Sequence, residues 1–259
     1  MRAQVTLTVN EAKRIIAKGV AGLPEVQKAL ESGKIFLKAG TTASAVCEEL
    51  IGRPLRLSGR IVPEGTKAPK NFSLEFHCVL IENGQPSDPG NAMEELIGKM
   101  RPNDVCIFGA NAIDVYGNAA LMYGAPFQGN PGRVIPGLIP EITNIIIPVG
   151  LEKLIPGSIT EMVSRTGRRT VDLSLGMPVG LLPIAGKIIT EKDALPLLAG
   201  VSCLVIGRGG IFGAEGSTTM IVDGPQEEVE KAVDIIMSIK GAGVSGVEES
   251  LPACQAPSP

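Results

Sequence analysis

The sequence predicts an α/β protein with an open parallel sheet, followed by a small α+β domain. Short runs of unbroken aliphatic residues, such as VLI at 79–81 and III at 145–147, alternate with segments of helical periodicity about ten residues long. Aliphatic strands separated by helices are typical of a parallel sheet that is covered on both faces. After Gly176 the order of predicted elements changes, which indicates a second domain.

The first domain is expected to span residues 1–175. Asn10 is expected to cap an opening helix, Pro24 to begin a second helix and Gly33 to end it. Four strands follow, separated by helices near 43–51 and 91–100 and by an irregular, proline-containing stretch at 53–76. The strands are predicted to begin at Lys34 and to cover 76–84, 104–114 and 144–155. In such sheets ligands bind at the carboxyl ends of the strands.

The second domain, residues 176–241, has the predicted order β-α-β-β-α. Thr190 begins a T-x-x-D helix start, and Pro225 opens a last helix whose apolar residues fall on one face. This order resembles a ferredoxin-like unit without its final strand, so one sheet edge needs a partner. We expect that partner to be a strand from residues 53–76 or a second copy of the chain, which would make a homo-oligomer. Residues 242–259 are expected to form a disordered tail.

Composition excludes several classes of function. With a net charge of -3, no basic stripe and only 3% aromatic residues, nucleic acid is not expected as a partner. Five widely spaced cysteines and a single histidine, His77, give no metal site. The glycine-rich segment at 207–216 lacks G-x-G-x-x-G, so it is expected to be a hairpin loop, and no cofactor is predicted. No apolar run reaches membrane-spanning length and no signal peptide is evident, which favours a cytoplasmic protein.

The first candidate site is the AGTTAS segment that follows the strand starting at Lys34. A Gly-Thr-Thr turn before a helix directs unpaired N–H groups, hydroxyls and the helix dipole at one point, where an anion can bind. Threonine and serine also cap helices without any ligand, so a cap is the alternative. The residues concerned are Gly40, Thr41, Thr42 and Ser44.

The second candidate site lies between the third and fourth predicted strands. Turn residues are denser there than a simple connection requires, and a polar cluster follows the strand end. Ordinary tight turns are the alternative explanation. Together the two sites are expected to bind a small anionic metabolite, phosphorylated or acyl-CoA-like. The candidate ligand-binding residues of this second site are Gly109, Asn111, Asn118, Gly129, Asn130, Gly132, Arg133 and Lys153.

At these residues the chain resembles a known family. The segments Gly109–Asn111, Tyr116–Asn118, Gly129–Arg133 and Glu152–Pro156 are similar to the pattern of the lactate-utilisation (LUD-type) domain. That domain belongs to the NagB/RpiA/CoA transferase-like superfamily, in which a Gly-Thr-Thr or Gly-Thr-Gly turn also follows the first strand. The resemblance covers about residues 34–160 and implies that superfamily's α/β fold.

The resemblance leaves two function classes open. The isomerases of this superfamily carry an aspartate where this chain has Asn111, and an amide cannot act as a general base. An isomerase or a CoA or acyl transferase would therefore need Asp114 as the base and Glu152 as the nucleophile, with Lys153 and Arg133 neutralising charge. The other class is a catalytically silent module that binds the metabolite, such as a lactate-utilisation-type accessory protein.

Overall fold

The computed structural model describes residues 1–68, 76–126, 129–141 and 144–251, without the side chains of 91, 97, 129–131 and 133. The strands are β1 (Arg2–Leu7), β2 (Lys34–Lys38), β3 (Arg60–Val62), β4 (Gly65–Lys67), β5 (Cys78–Glu82), β6 (Gln85–Ser87), β7 (Val105–Phe108), β8 (Ala112–Ile113), β9 (Ala119–Tyr123), β10 (Ile145–Pro148), β11 (Gly180–Ile184), β12 (Lys187–Ile189), β13 (Ser202–Gly209) and β14 (Ser217–Asp223). The α-helices are α1 (Val9–Ala21), α2 (Pro24–Ser32), α3 (Thr41–Ile51), α4 (Met93–Gly98), α5 (Gly129–Glu141), α6 (Ile159–Arg165), α7 (Glu191–Leu198) and α8 (Gln226–Ser238).

A six-stranded sheet with the order β12-β10-β7-β2-β5-β6 forms the centre of the fold. The first four strands run parallel, whereas β5 is antiparallel to β2 and β6 is antiparallel to β5. The predicted α/β class with a mostly parallel sheet is therefore confirmed. The strand predicted at 76–84 is present as β5, but its hydrogen bonds to β2 make it antiparallel.

Side chains from both faces of this sheet are buried. Alternation along β2 places Ile35 and Leu37 on one face and Phe36 on the other. The first face packs with α1 and α3 through residues such as Ile16 and Val46. The second face contributes to a cluster that includes residues of α5 and β9, among them Leu138. The two layers explain why these strands are uniformly apolar.

The sequence-based view of the N-terminus was wrong. Residues 2–7 form β1, and the first helix is capped by Thr8, which shares a capping box with Glu11, instead of by Asn10. β1 pairs antiparallel with β14, which also pairs with β13. In this sheet β1, and not a strand from 53–76, thus covers one edge of β14, whereas pairing with a second chain stays a prediction.

The sheets do not follow the expected boundary at residue 175. β11 pairs with β9, and β12 pairs in parallel with β10, so segments from both sides of the boundary share two sheets. The predicted β-α-β-β-α order is present as β12 to α8, and the capping box of Thr190 and Asp193 is confirmed. However, β12 belongs to the central sheet, which a separate ferredoxin-like unit would not allow.

The first part of the expected disordered tail is ordered against the rest of the chain. Ser245, Val247 and Ser250 are buried. The backbone N–H of Val247 donates to the carbonyl of Leu55 (3.1 Å), and Leu57 N–H donates to the hydroxyl of Ser250 (3.1 Å). Residues 252–259 lie outside the described residues.

A strap formed by residues 166–179 crosses the β3–β4 hairpin. Met177 N–H donates to Thr66 O (2.7 Å), and the Thr66 hydroxyl donates to Met177 O. Gly176 has φ +90°, and a Cβ there would overlap the backbone of Thr66; a Cβ at Gly65 would likewise overlap Leu175. Glycine at both positions lets the two backbones approach.

Among the described helices, none is long and apolar enough to cross a membrane.

Candidate functional site

A cavity of about 520 Å³ opens at the carboxyl ends of β2, β7 and β10. Lys38 and the AGTT turn follow β2, Gly109 to Asn111 follow β7, and Val149 follows β10. The strap and the β3–β4 hairpin contribute Met177 and Thr66 to its wall. Open parallel sheets bind ligands at the carboxyl ends of their strands, where this cavity lies, and the cavity volume is in the range of small-molecule sites.

Every charged side chain that lines the cavity, among the described residues, is basic. Apolar residues such as Leu57, Leu121 and Val179 line the rest of the wall. Because the whole chain is slightly acidic, this concentration of positive charge is local to the cavity. It favours a ligand with an anionic group and a less polar remainder. The five basic residues are Lys13, Lys38, Arg56, Arg60 and Lys153.

The N-terminus of α3 faces this cavity without a side-chain cap. Gly40 is the N-cap residue and forms no side-chain cap bond, and the Thr41 and Thr42 side chains have no hydrogen-bond partner among the described residues. Thr42 is only 7% exposed and lines the cavity. The Thr42 hydroxyl is therefore accessible from the cavity and can exchange a hydrogen bond with a ligand oxygen. The first backbone N–H groups of α3 lie at the same end of the helix and can donate hydrogen bonds to the same ligand.

Ser44, expected to belong to this cradle, does not line the cavity. It is fully buried, and its hydroxyl accepts from Leu55 N–H (2.9 Å). The hydroxyl of Ser245 lies 2.8 Å away on the other side. One helical turn separates Ser44 from the cap, so its side chain contacts the C-terminal segment instead of the cavity.

Asn111 lines the cavity as predicted. Its carboxamide oxygen accepts from Met122 N–H (2.9 Å), which fixes the orientation of the amide. With the oxygen engaged, the Nδ2 group has no partner among the described residues and can donate to an anion. An aspartate at this position could only accept hydrogen bonds, so the amide suits an anionic ligand better.

Asp114 and Asn118 do not line the cavity and instead stabilise a turn. The Asp114 carboxylate accepts from the N–H groups of Tyr116 (2.9 Å), Asn118 (2.9 Å) and Ile159 (3.0 Å) and from Asn118 Nδ2 (2.9 Å). Burial opposes ionisation, but these hydrogen bonds outweigh it and lower the pKa of Asp114. A carboxylate with four donors is poorly suited to act as the general base expected of it.

Glu152 is also absent from the described lining of the cavity. Its Oε1 lies 3.7 Å from Lys13 Nζ and has no hydrogen-bond partner. Glu191 is buried close by, where it accepts from Leu151 N–H (3.0 Å) and from the Thr218 hydroxyl (2.7 Å). Burial raises the pKa of Glu191, and Glu152 adds to the effect. Glu152 therefore acts as a partner of Lys13 behind the cavity wall, in contrast to the nucleophile expected from the sequence.

Lys38, His77 and Tyr123 lie together inside the cavity. Lys38 Nζ is 5.7 Å from the centroid of the Tyr123 ring, within the range of cation–π contacts. His77 Nδ1 lies 3.0 Å from the carbonyl oxygen of Arg56, which can only accept, so Nδ1 carries the proton. Burial, the Lys38 charge and Arg56 lower the pKa of His77 to about 4, so its ring is neutral.

The predicted turn at Gly129–Arg133 is the beginning of α5. Asn-Pro-Gly favours turns, but a proline in the first helical turn is also tolerated because its missing N–H would be unpaired there. Gly132 is buried within this turn of helix. The side chains of Asn130 and Arg133 lie outside the described residues, so their ligand-binding roles stay predictions.

Six predicted residues meet at the cavity, and sequence reasoning overlooked several others. Gly40, Thr41, Thr42, Asn111 and Lys153 line it together with Gly109. The overlooked residues are Lys13, Lys38, Arg56, Arg60, His77 and Tyr123. The available signal was Lys38, a charged residue that ends an apolar strand directly before the Gly-Thr-Thr turn. His77 offers no comparable signal, because a histidine directly before the apolar strand β5 is equally compatible with a place in the core.

The described residues include no group of three or more His, Cys, Asp or Glu side chains that could hold a metal ion. Cys47 and Cys106 are buried in the core. Comparisons of the chain with protein-family models, with curated proteins and with solved structures find no match in any of the three.

Proposed function

We propose that the cavity binds a small anionic metabolite, phosphorylated or acyl-CoA-like. The observation that carries this proposal is the exclusively basic charge of the described lining beside the uncapped N-terminus of α3. Helix N–H groups and the Thr41 and Thr42 hydroxyls would hold anionic oxygens, with lysine and arginine side chains balancing the charge. The apolar wall would hold the remainder of the ligand.

The alternative is an isomerase or a CoA or acyl transferase acting on a sugar phosphate or CoA ester. Asp114 and Glu152, the acid–base and nucleophile candidates, both lie outside the described lining, and this favours binding over these two assignments. A lactate-utilisation-type accessory protein remains compatible with a binding role. We also propose membership of the NagB/RpiA/CoA transferase-like superfamily, supported by the parallel sheet and by the Gly-Thr-Thr turn that faces Gly109 and Asn111.

Thermal unfolding with a ligand series tests the binding proposal. Inorganic phosphate, sulfate, ribose 5-phosphate and coenzyme A would be compared with ribose and with sodium chloride of equal ionic strength. A ligand present at a hundred times its Kd stabilises the folded state by about 2.7 kcal/mol, which raises Tm by roughly 5–10 °C in a chain of this size. We expect such a rise with at least one phosphorylated compound and none with ribose.

Two matched variants locate the effect. Lys153→Met removes a charge from the cavity wall, whereas Lys187→Met removes one from strand β12, where Lys187 pairs with Glu25 (2.9 Å). Phosphate affinity should fall in the first variant and stay at the wild-type value in the second. Equal losses in both variants, or no ligand-dependent rise in Tm at all, would overturn the proposal.

A further inference from the structure

Lys38 differs from Lys13 and Lys34 because it has no carboxylate partner among the described residues. Lys13 pairs with Glu152, and Lys34, at the other end of β2, pairs with Glu82 (3.3 Å). The Lys38 amine lies instead over the Tyr123 ring and lines the cavity. Lys38 is half-buried, and an amine withdrawn from water without an anionic partner is expensive to keep charged.

Burial accordingly lowers the pKa of Lys38, and no carboxylate offsets it. Each unit by which a lysine pKa falls raises the fraction of uncharged amine about tenfold at neutral pH. The uncharged amine is the nucleophilic form, and lysines desolvated in apolar pockets attack carbonyl carbons. The environment of Lys38 thus favours reactivity as well as anion attraction.

The neighbours of Lys38 suit a carbonyl compound that carries an anionic group. The helix N-terminus at Thr41 and Thr42 begins three residues further along the chain and supplies the anion site. His77 keeps a lone pair on Nε2, because Nδ1 is bonded to the Arg56 carbonyl. That nitrogen can accept a hydrogen bond from a hydroxyl on the carbon that Lys38 attacks.

We propose that Lys38 forms a Schiff base with a small carbonyl compound bearing a phosphate or carboxylate group, an inference that rests on the anion site proposed above. The amine nitrogen bonds to the carbonyl carbon, and one proton passes from that nitrogen to the carbonyl oxygen to give a carbinolamine. The C–O bond then breaks, and the hydroxyl leaves as water with a second proton. The nitrogen retains one hydrogen and a positive charge, so the sum is amine, carbonyl compound and one proton giving iminium and water.

Reductive trapping tests this inference. The wild-type protein would be treated with glyceraldehyde 3-phosphate or pyruvate in the presence of sodium cyanoborohydride, and the modified lysines identified by peptide mass spectrometry. We expect a secondary amine at Lys38 in preference to surface lysines, and its loss when inorganic phosphate competes. Glyceraldehyde without the phosphate should label Lys38 no more than it labels surface lysines.

Two variants complete the experiment. Lys38→Met should abolish the adduct on strand β2, whereas Lys34→Met should leave the labelling of Lys38 unchanged. If Lys38→Met does not fold, the wild-type protein still tests the proposal, because inorganic phosphate should reduce the labelling of Lys38. Stabilisation by phosphate with no adduct at Lys38 would overturn the Schiff base and leave the anion site intact; absence of any phosphate effect would overturn the anion site itself.

Discussion

The hydroxyl groups of Ser44 and Ser245 lie 2.8 Å apart although 201 residues separate them in the sequence. Ser245 also lies 2.6 Å from Glu48 Oε1, and a carboxylate can only accept. The order of donors is therefore Ser44 to Ser245 to Glu48, with Leu55 N–H donating to Ser44. This buried chain attaches the C-terminal segment to α3.

Replacing Ser44 with alanine should destabilise the protein without affecting the cavity. Leu55 N–H and the Ser245 hydroxyl would each lose a buried partner, at a cost of about 1–3 kcal/mol. Urea denaturation should show the loss, while titration calorimetry should give wild-type phosphate affinity. A large fall in affinity would mean that Ser44 belongs to the anion site after all.

Thr42→Val should produce the opposite result. The hydroxyl has no partner among the described residues, so an isosteric methyl group leaves the stability of the ligand-free protein equal or slightly higher. Affinity for phosphate or sulfate should fall, because a hydrogen bond to an anion contributes about 1.5–3 kcal/mol. Unchanged affinity together with lower stability would show that Thr42 acts only in the helix.

Asp114→Asn should lower stability by about 1.5–3 kcal/mol at neutral pH, since an amide cannot accept from all four donors. The pKa of Asp114 is lower in the folded than in the unfolded state. Its carboxylate therefore contributes stability above the unfolded pKa of about 3.9, which is lost as pH falls through the folded pKa. Denaturation at a series of pH values should show a shallower acid loss in the variant; parallel curves would contradict this role.

Glu191→Gln replaces a buried carboxyl group whose pKa is shifted upward. Because burial raises the pKa of Glu191, its contribution to stability is largest below the unfolded pKa of about 4.3 and declines as pH rises through the folded value. Glutamine can accept from Leu151 N–H and donate to the Thr218 hydroxyl without carrying charge. The variant should be at least as stable as the wild type at pH 7, with a smaller decline above pH 4. A steeper decline in the variant would contradict this assignment.

The parts of the fold that follow from local sequence were predictable, whereas those that depend on distant pairing were not. The aliphatic strands and the Thr190 capping box are local signals, and so is the Gly-Thr-Thr turn. β1 alternates in burial, but its assignment depends on β14, more than two hundred residues away. His77 and Lys38 become site residues only because β5 pairs with β2 in antiparallel orientation, which brings the start of one strand to the end of the other.

The pairing of β1 with β14 has a consequence for the order of folding. Synthesis places β1 outside the ribosome long before its partner exists, so this sheet forms only after residue 223 has been made. Closing a loop of that length carries an entropic cost before any contact compensates for it, and such long-range pairings slow folding. Until then the apolar side chains of β1, such as Leu7, have no partner strand to pack with, which makes this late step the one most exposed to misassembly.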